Sequence, residues 1–202
     1  MLTTKLEYAN FGKVEKVLYM QGPTNVIYSY EFEYNTDGRI AKRTTYALTS
    51  TVPKGYNVYV YDGAGRLTTD SQFVRTGNGT FKPSRVAKFQ YTYDNIMVAE
   101  DYDLSTGTAD LDTRLKYEYD ISTSPFRNLE YEYYIKESGS AIYTVTRLSP
   151  NNVLKVYRAD GNGGWDIQYT VDYQYNSNNY ARKATRVNAS PNERTVNEYS
   201  FQ

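Results

Sequence analysis

The 202-residue chain contains no cysteine and no histidine. Without thiols there is no disulfide staple and no cysteine nucleophile. Without imidazole, the Ser-His-Asp and Cys-His arrangements of nucleophilic catalysis cannot be assembled, and zinc loses its two commonest ligand types. Tryptophan is single and proline sparse, with six residues. No apolar run approaches the roughly 18 residues of a transmembrane helix. Neither charge is in excess, since 23 basic residues balance 23 acidic ones and the signs alternate along the chain. A nucleic-acid footprint needs a basic stripe or a strongly basic domain, so nucleic acid is not an expected partner.

What is abundant is tyrosine, 24 residues, in a chain with seven phenylalanines. It recurs with period two, as in Tyr28-Ser29-Tyr30-Glu31-Phe32-Glu33-Tyr34 and Lys116-Tyr117-Glu118-Tyr119. That period marks strands and is incompatible with an amphipathic helix. Tyrosine suits half-buried strands because its ring packs while its hydroxyl stays near a partner. No segment reads as a helix.

The strands come in repeats. Tyr8-Ala9-Asn10-Phe11-Gly12-Lys13-Val14, Tyr34-Asn35-Thr36-Asp37-Gly38-Arg39-Ile40 and Tyr61-Asp62-Gly63-Ala64-Gly65-Arg66-Leu67 share Tyr first, Gly fifth, a cation sixth and an aliphatic seventh. Looser copies begin at Tyr93, Tyr119, Leu148 and Tyr175, with Asn152 and Asn179 taken as stand-ins for the fifth-position glycine. A period of this length reads as a repeat architecture. The expectation is an all-β antiparallel meander of tandem β-hairpins, about 14–16 strands in a curled or rolled sheet, forming one domain over residues 1–202.

A three-residue loop with a left-handed glycine sets a definite register. Tyr34 should face Ile40, Phe32 should face Lys42, Glu31 Arg43 and Tyr30 Thr44. Tyr61 should face Leu67 and Asp62 Arg66. A two-residue Asp94-Asn95 loop should set Tyr93 against Ile96 and Tyr91 against Val98. Gly12, Gly38 and Gly65 should have positive φ. The expected shared buried face comprises Tyr30, Phe32, Tyr34, Ile40, Tyr59, Tyr61, Leu67, Tyr91, Tyr93, Tyr117, Tyr119, Leu148, Tyr173 and Tyr175.

Tyr59-Val60-Tyr61-Asp62-Gly63-Ala64-Gly65-Arg66-Leu67-Thr68 resembles the Tyr-Asp repeat of Rhs and teneurin-type proteins, written Tyr-x-Tyr-Asp-x-x-Gly-Arg-Leu. Phe32 to Ile40 resembles it with Asn35 for Asp. Tyr91-Thr92-Tyr93-Asp94 and Tyr117-Glu118-Tyr119-Asp120 keep its first half. The resemblance implies hairpins continuing into a rolled sheet, in a short secreted or surface-displayed member. Seven units are too few for the closed shell of long members, and the encapsulating role is not carried over.

Carboxylate pairs such as Glu31 with Glu33, or Glu130 with Glu132, could meet the spacing of glycosidases. Cross-strand pairing with Lys or Arg is the preferred reading for them. Asp101, Asp103, Ser105, Asp110 and Asp112 partly match a calcium loop, but Gly107 is displaced by one position and the last ligand is Asp instead of Glu. No metal and no cofactor is expected. Longer inter-repeat connections, Leu48 to Asn57, Thr76 to Arg85, Ser105 to Thr113, Ala159 to Trp165 and Asn188 to Arg194, are where binding would concentrate. Tyr56, Phe81 and Trp165 there form the candidate binding surface for a protein or glycan.

The functional expectation is a non-catalytic β-repeat module for binding or assembly, in the periplasm, at the cell surface or secreted. The start Met1-Leu2-Thr3-Thr4-Lys5 lacks a signal core, so that location requires a leader outside this numbering. The alternatives are a carbohydrate-binding module using loop aromatics and an outer-membrane β-barrel. The barrel is disfavoured because its lipid-facing strands should be aliphatic.

Overall fold

The computed structural model describes residues 2–9, 12–48, 50–125, 134, 145–189 and 194–198. Thirteen strands form one antiparallel meander in which every strand neighbours the next in sequence. They are β1 Leu2–Tyr8, β2 Val14–Gln21, β3 Asn25–Tyr34, β4 Ile40–Ala47, β5 Pro53–Tyr61, β6 Leu67–Arg75, β7 Phe81–Thr92, β8 Asn95–Asp103, β9 Asp110–Thr123, β10 Asn151–Ala159, β11 Trp165–Tyr175, β12 Ala181–Asn188 and β13 Arg194–Glu198. By contact, the chain divides into two compact units, Met1–Val86 with Asp103–Asp110 and Ala87–Tyr102 with Leu111–Gln202.

In the first unit, alternation sorts β3 into Tyr30 and Phe32, both buried, and the water-facing Glu31 and Glu33. Val17, Ile40, Tyr59 and Leu67 share the core with them. The turn Asn35–Arg39 closes with Gly38 N donating to the Asn35 carbonyl (3.0 Å) and Asn35 N to the Arg39 carbonyl (2.9 Å). Gly12, Gly38 and Gly65 have φ of 75°, 83° and 81°, as expected of the left-handed position.

The register departs from expectation one residue beyond each turn. Tyr34 faces Ile40, but the next pair is Glu33 with Lys42, so Ala41 is skipped and Phe32 meets Arg43, Glu31 Thr44 and Tyr30 Thr45. The same skip follows Tyr8–Val14, Tyr61–Leu67 and Tyr175–Ala181. Each of these four repeats therefore carries a β-bulge at its eighth position, placing two residues of the outgoing strand against one. Arg43, expected opposite Glu31, is turned onto the buried face.

In the second unit, Ala87, Phe89, Ile96, Ala99, Leu115, Tyr117, Val153, Val156, Val171, Ala181 and Ala184 are buried. Its first turn is Tyr93-Asp94 instead of Asp94-Asn95; Tyr93 has φ 54° and is 87% exposed, so it leaves the expected buried face. Leu148 also leaves it, lying in a 3-10 turn at Val145–Leu148. Asn152 lies inside β10 without positive φ, whereas Asn179 does replace glycine, at φ 62°. The reason is the pairing of β9 with β10: Tyr119 faces Val153, as Tyr61 faces Leu67. Tyr119 and Val153 thus belong to one hairpin, which the strands continue as far as the pair Thr123 and Asn151. Among the described residues the thirteen strands make six hairpins and a half.

Candidate functional site

The repeat signature is a contact device between successive hairpins. The Tyr34 hydroxyl donates to the Val14 carbonyl (2.6 Å), that of Tyr61 to Ile40 (2.7 Å) and that of Tyr119 to Ile96 (2.8 Å). Val14 and Ile40 open the second strand of the preceding hairpin, and Ile96 is the second residue of such a strand. The preceding cation lies over the same tyrosine ring, with Lys13 Nζ 4.9 Å from the Tyr34 centroid and Arg39 Cζ 5.8 Å from that of Tyr61. Burial raises the pKa of the Tyr34 phenol above its ordinary value, which keeps it a donor.

The second-position Asp or Asn caps the turn. Asp62 Oδ1 accepts the amides of Ala64 (3.0 Å) and Arg66 (2.9 Å), and the bonds from Arg66 lead the effects that hold its carboxyl below the usual range. In the hairpin of Tyr119 and Val153, Asp120 performs the same task between β9 and β10. It accepts the Ser122 amide (3.0 Å), the Asn152 amide (3.1 Å), Asn152 Nδ2 (3.2 Å) and the Tyr175 hydroxyl. Burial and this carboxylate push the Tyr175 phenol up to about 12. Asn95 with Asn151, and Ser149 with Tyr119 and the Ile96 amide, complete a closed polar cluster.

The sequence-selected aromatics are strand residues, not loop residues. Tyr56 lies in β5 and Phe81 begins β7, because the Thr76–Thr80 connection is another tight turn with Gly79 at φ 88°. The two are together: Tyr56 stacks on Phe73 at 4.7 Å and meets Phe81 edge-on at 5.1 Å. Trp165 opens β11 in the other unit, with Lys116 Nζ 5.0 Å and Arg114 Cζ 5.4 Å from its ring. The Trp165 surroundings were illegible in sequence, because Arg114 and Lys116 come from β9, some fifty residues away.

Of the candidate acids, Glu130 and Glu132 lie outside the described residues. Glu31 accepts Lys16 Nζ (2.9 Å) and Glu33 accepts Lys42 Nζ (2.5 Å). Burial opposes ionisation of Glu31, but bonds from Lys16 and Tyr46 outweigh it and hold the carboxyl below its usual range. A cavity of about 310 Å³ opens beside them, walled by Leu18, Val26 and Leu48. In the calcium-like stretch, Asp101 is buried in β8, Asp103 caps the Ser105 amide (2.7 Å) and Asp110 takes the Thr106 and Thr108 hydroxyls. Gly107, at φ 91°, closes another turn onto the Leu104 carbonyl (3.1 Å). Among the described residues no three acidic ligands converge as a metal site would require.

No family model and no curated protein matches the chain. Among solved structures, a porin-like protein from Bacteroides vulgatus aligns over 96% of this chain and 91% of its own, at 10% identity and a TM-score of 0.52. A porin-like protein from Bacteroides uniformis aligns over 97% and 74%, at 11% identity and 0.52. The likeness is one of fold. A DUF3836 family protein from Bacteroides vulgatus covers 42% of this chain and 90% of its own, at 17% identity and a TM-score of 0.37.

Proposed function

We propose that this chain is a non-catalytic β-repeat module that binds a protein or glycan, or takes part in assembly, at the cell exterior. The observation supporting this is the commitment of its carboxylates: Glu31, Glu33 and Glu118 each hold a lysine, and Asp62 and Asp120 cap backbone amides. A general acid or nucleophile needs a carboxyl turned toward a substrate. What the strands present to a partner instead is aromatic rings beside cations.

The porin-like neighbours raise the alternative of a membrane-spanning barrel. The face of the first unit opposite its core argues against it, because it carries Lys16 with Glu31 and Lys42 with Glu33, all about one-third or more exposed. A lysine facing lipid near the midplane costs about 2–4 kcal/mol. The chain is expected to stay in solution without detergent after aqueous extraction and to turn over none of a glycan panel. Dependence on detergent, or hydrolysis lost on Glu31→Gln or Glu118→Gln, would overturn this reading.

A further inference from the structure

On the water-facing side of the second unit, one row of residues crosses five strands: Lys88 of β7, Glu100 and Tyr102 of β8, Arg114, Lys116 and Glu118 of β9, Lys155 and Tyr157 of β10, and Trp165 of β11. The pairing of Lys155 with Glu118 and of Tyr157 with Lys116 puts these side chains on one face. Two ion pairs in the row balance themselves. Lys155 Nζ lies 3.1 Å from Glu118, and Arg114 Nε stands 3.0 Å from Glu100 as a charge contact without hydrogen-bond alignment. Asp112 lies further along β9.

Lys88 and Lys116 are different. Among the described residues neither ammonium has a carboxylate at ion-pair distance. Lys88 is held over the Tyr102 ring at 5.1 Å, and Lys116 sits between Tyr157 at 4.4 Å and Trp165 at 5.0 Å. A ring face attracts an ammonium without neutralising it. Lys116 also lies near enough to Glu118 to help hold its carboxyl below the usual range, but Lys88, Arg114, Lys116 and Lys155 face only Glu100 and Glu118 in the row, which leaves it a net positive charge beside flat aromatic surfaces.

We propose that this face binds an acidic polysaccharide, a glycan carrying one carboxylate per sugar ring at intervals. Sugar rings stack their C–H faces on Trp165 and Tyr157 and carboxylates meet Lys116 and Lys88, while Glu100, held by Arg114 and the Tyr102 hydroxyl (3.0 Å), and Glu118, held by Lys155 and the Tyr157 hydroxyl (2.5 Å), fix those rings in place. Single-stranded nucleic acid also seeks cations beside rings. A nucleic-acid footprint needs a longer basic stripe than this row offers in a chain whose 23 basic residues are balanced by 23 acidic ones. The inference rests on the binding role proposed above and names its ligand class.

The test is calorimetric titration of the whole chain with an oligogalacturonate, a neutral oligosaccharide of equal length and a single-stranded oligonucleotide. Binding is expected for the oligogalacturonate only, weakened about tenfold or more by Lys88→Gln with Lys116→Gln, and weakened as salt rises from about 0.05 to 0.5 M. Both lysines are surface residues, so that variant keeps the fold, and unchanged melting temperature verifies it. Trp165→Phe, which keeps a ring, should weaken binding less than Trp165→Ala. Equal binding of the neutral glycan, tighter binding of the oligonucleotide, or an unchanged affinity in the double variant overturns the proposal. No binding of any glycan overturns it too, and the binding role then stands or falls separately on capture of a protein partner.

Discussion

Tyr61 joins its hairpin to the one before it at two points, by its hydroxyl on the Ile40 carbonyl and by its ring under Arg39. A hydrogen bond of this kind contributes about 0.5–1.5 kcal/mol net, which explains why tyrosine and not phenylalanine opens a repeat. The glycine at position five belongs to the same device. Its positive φ was legible in the Gly-cation-aliphatic spacing; the second reason for glycine was not. A Cβ on Gly65 would fall onto the Arg39 guanidinium, whereas one on Gly38 would meet only the tip of Lys13, Nζ at 2.9 Å. Left-handed strain costs about 1–2 kcal/mol for a side chain other than Asn. Gly38→Val is therefore expected to lose about 1–2 kcal/mol in urea unfolding and Gly38→Asn much less. Asn should rescue position 65 less well than position 38, because it relieves the strain while the Arg39 guanidinium must still move aside. Adding Arg39→Ala to Gly65→Asn should recover part of the loss, and a strictly additive double variant would show that Arg39 does not occupy that space.

Among the elements, the hairpins were legible because alternation and turn chemistry are local. The bulge at position eight was not, since nothing in Ala41 or Thr68 announces that a residue will be skipped. It redirects the charges: Glu33 takes Lys42 and Glu31 reaches Lys16 on the other neighbouring strand. Buried Arg43 instead donates to Asn57 Oδ1 (2.8 Å), and Asn57 to Asp70 Oδ1 (2.7 Å), across β4, β5 and β6. The Tyr93 turn was misplaced for a related reason, because Tyr at a left-handed position runs against propensity. The turn caps carry a pH signature. Asp62 has a folded pKa below its ordinary 3.8, so the stability it contributes is present above that value and is lost as pH falls through the lower folded value. In Asp62→Asn, whose amide oxygen still accepts the turn amides, the drop in urea midpoint on acidification below 3.8 should be smaller than in the parent. An identical acid dependence in the two proteins would show that this carboxylate does not couple to folding.

For the whole molecule, the hairpin of Tyr119 and Val153 was hidden because Asp120 and Asn152, hydrogen-bonded across it, stand 32 residues apart. Within the first unit, the hairpins opened by Tyr34 and Tyr61 each lean on the previous one through a tyrosine and a cation, so stability should propagate between neighbours there as in other repeat proteins. The first unit lets this be tested, because β1 has a neighbour on one side only while β3, β4 and β5 have one on each. Tyr8 opens the first repeat and is 59% exposed, where its counterparts Tyr34 and Tyr61 are half-buried. Lys5 and Glu7, paired at 2.9 Å on the edge strand, guard it against pairing with other chains but add little stability at such exposure. Amide hydrogen exchange should accordingly rise in protection from β1 to β2 and reach its maximum in β3 to β5. Tyr34→Phe should lower protection in β2 and β3 more than in β5. Uniform protection across β1 to β5, lost together in the variant, would mean that the first unit opens as one block and that the tyrosine contacts do not set its cooperativity.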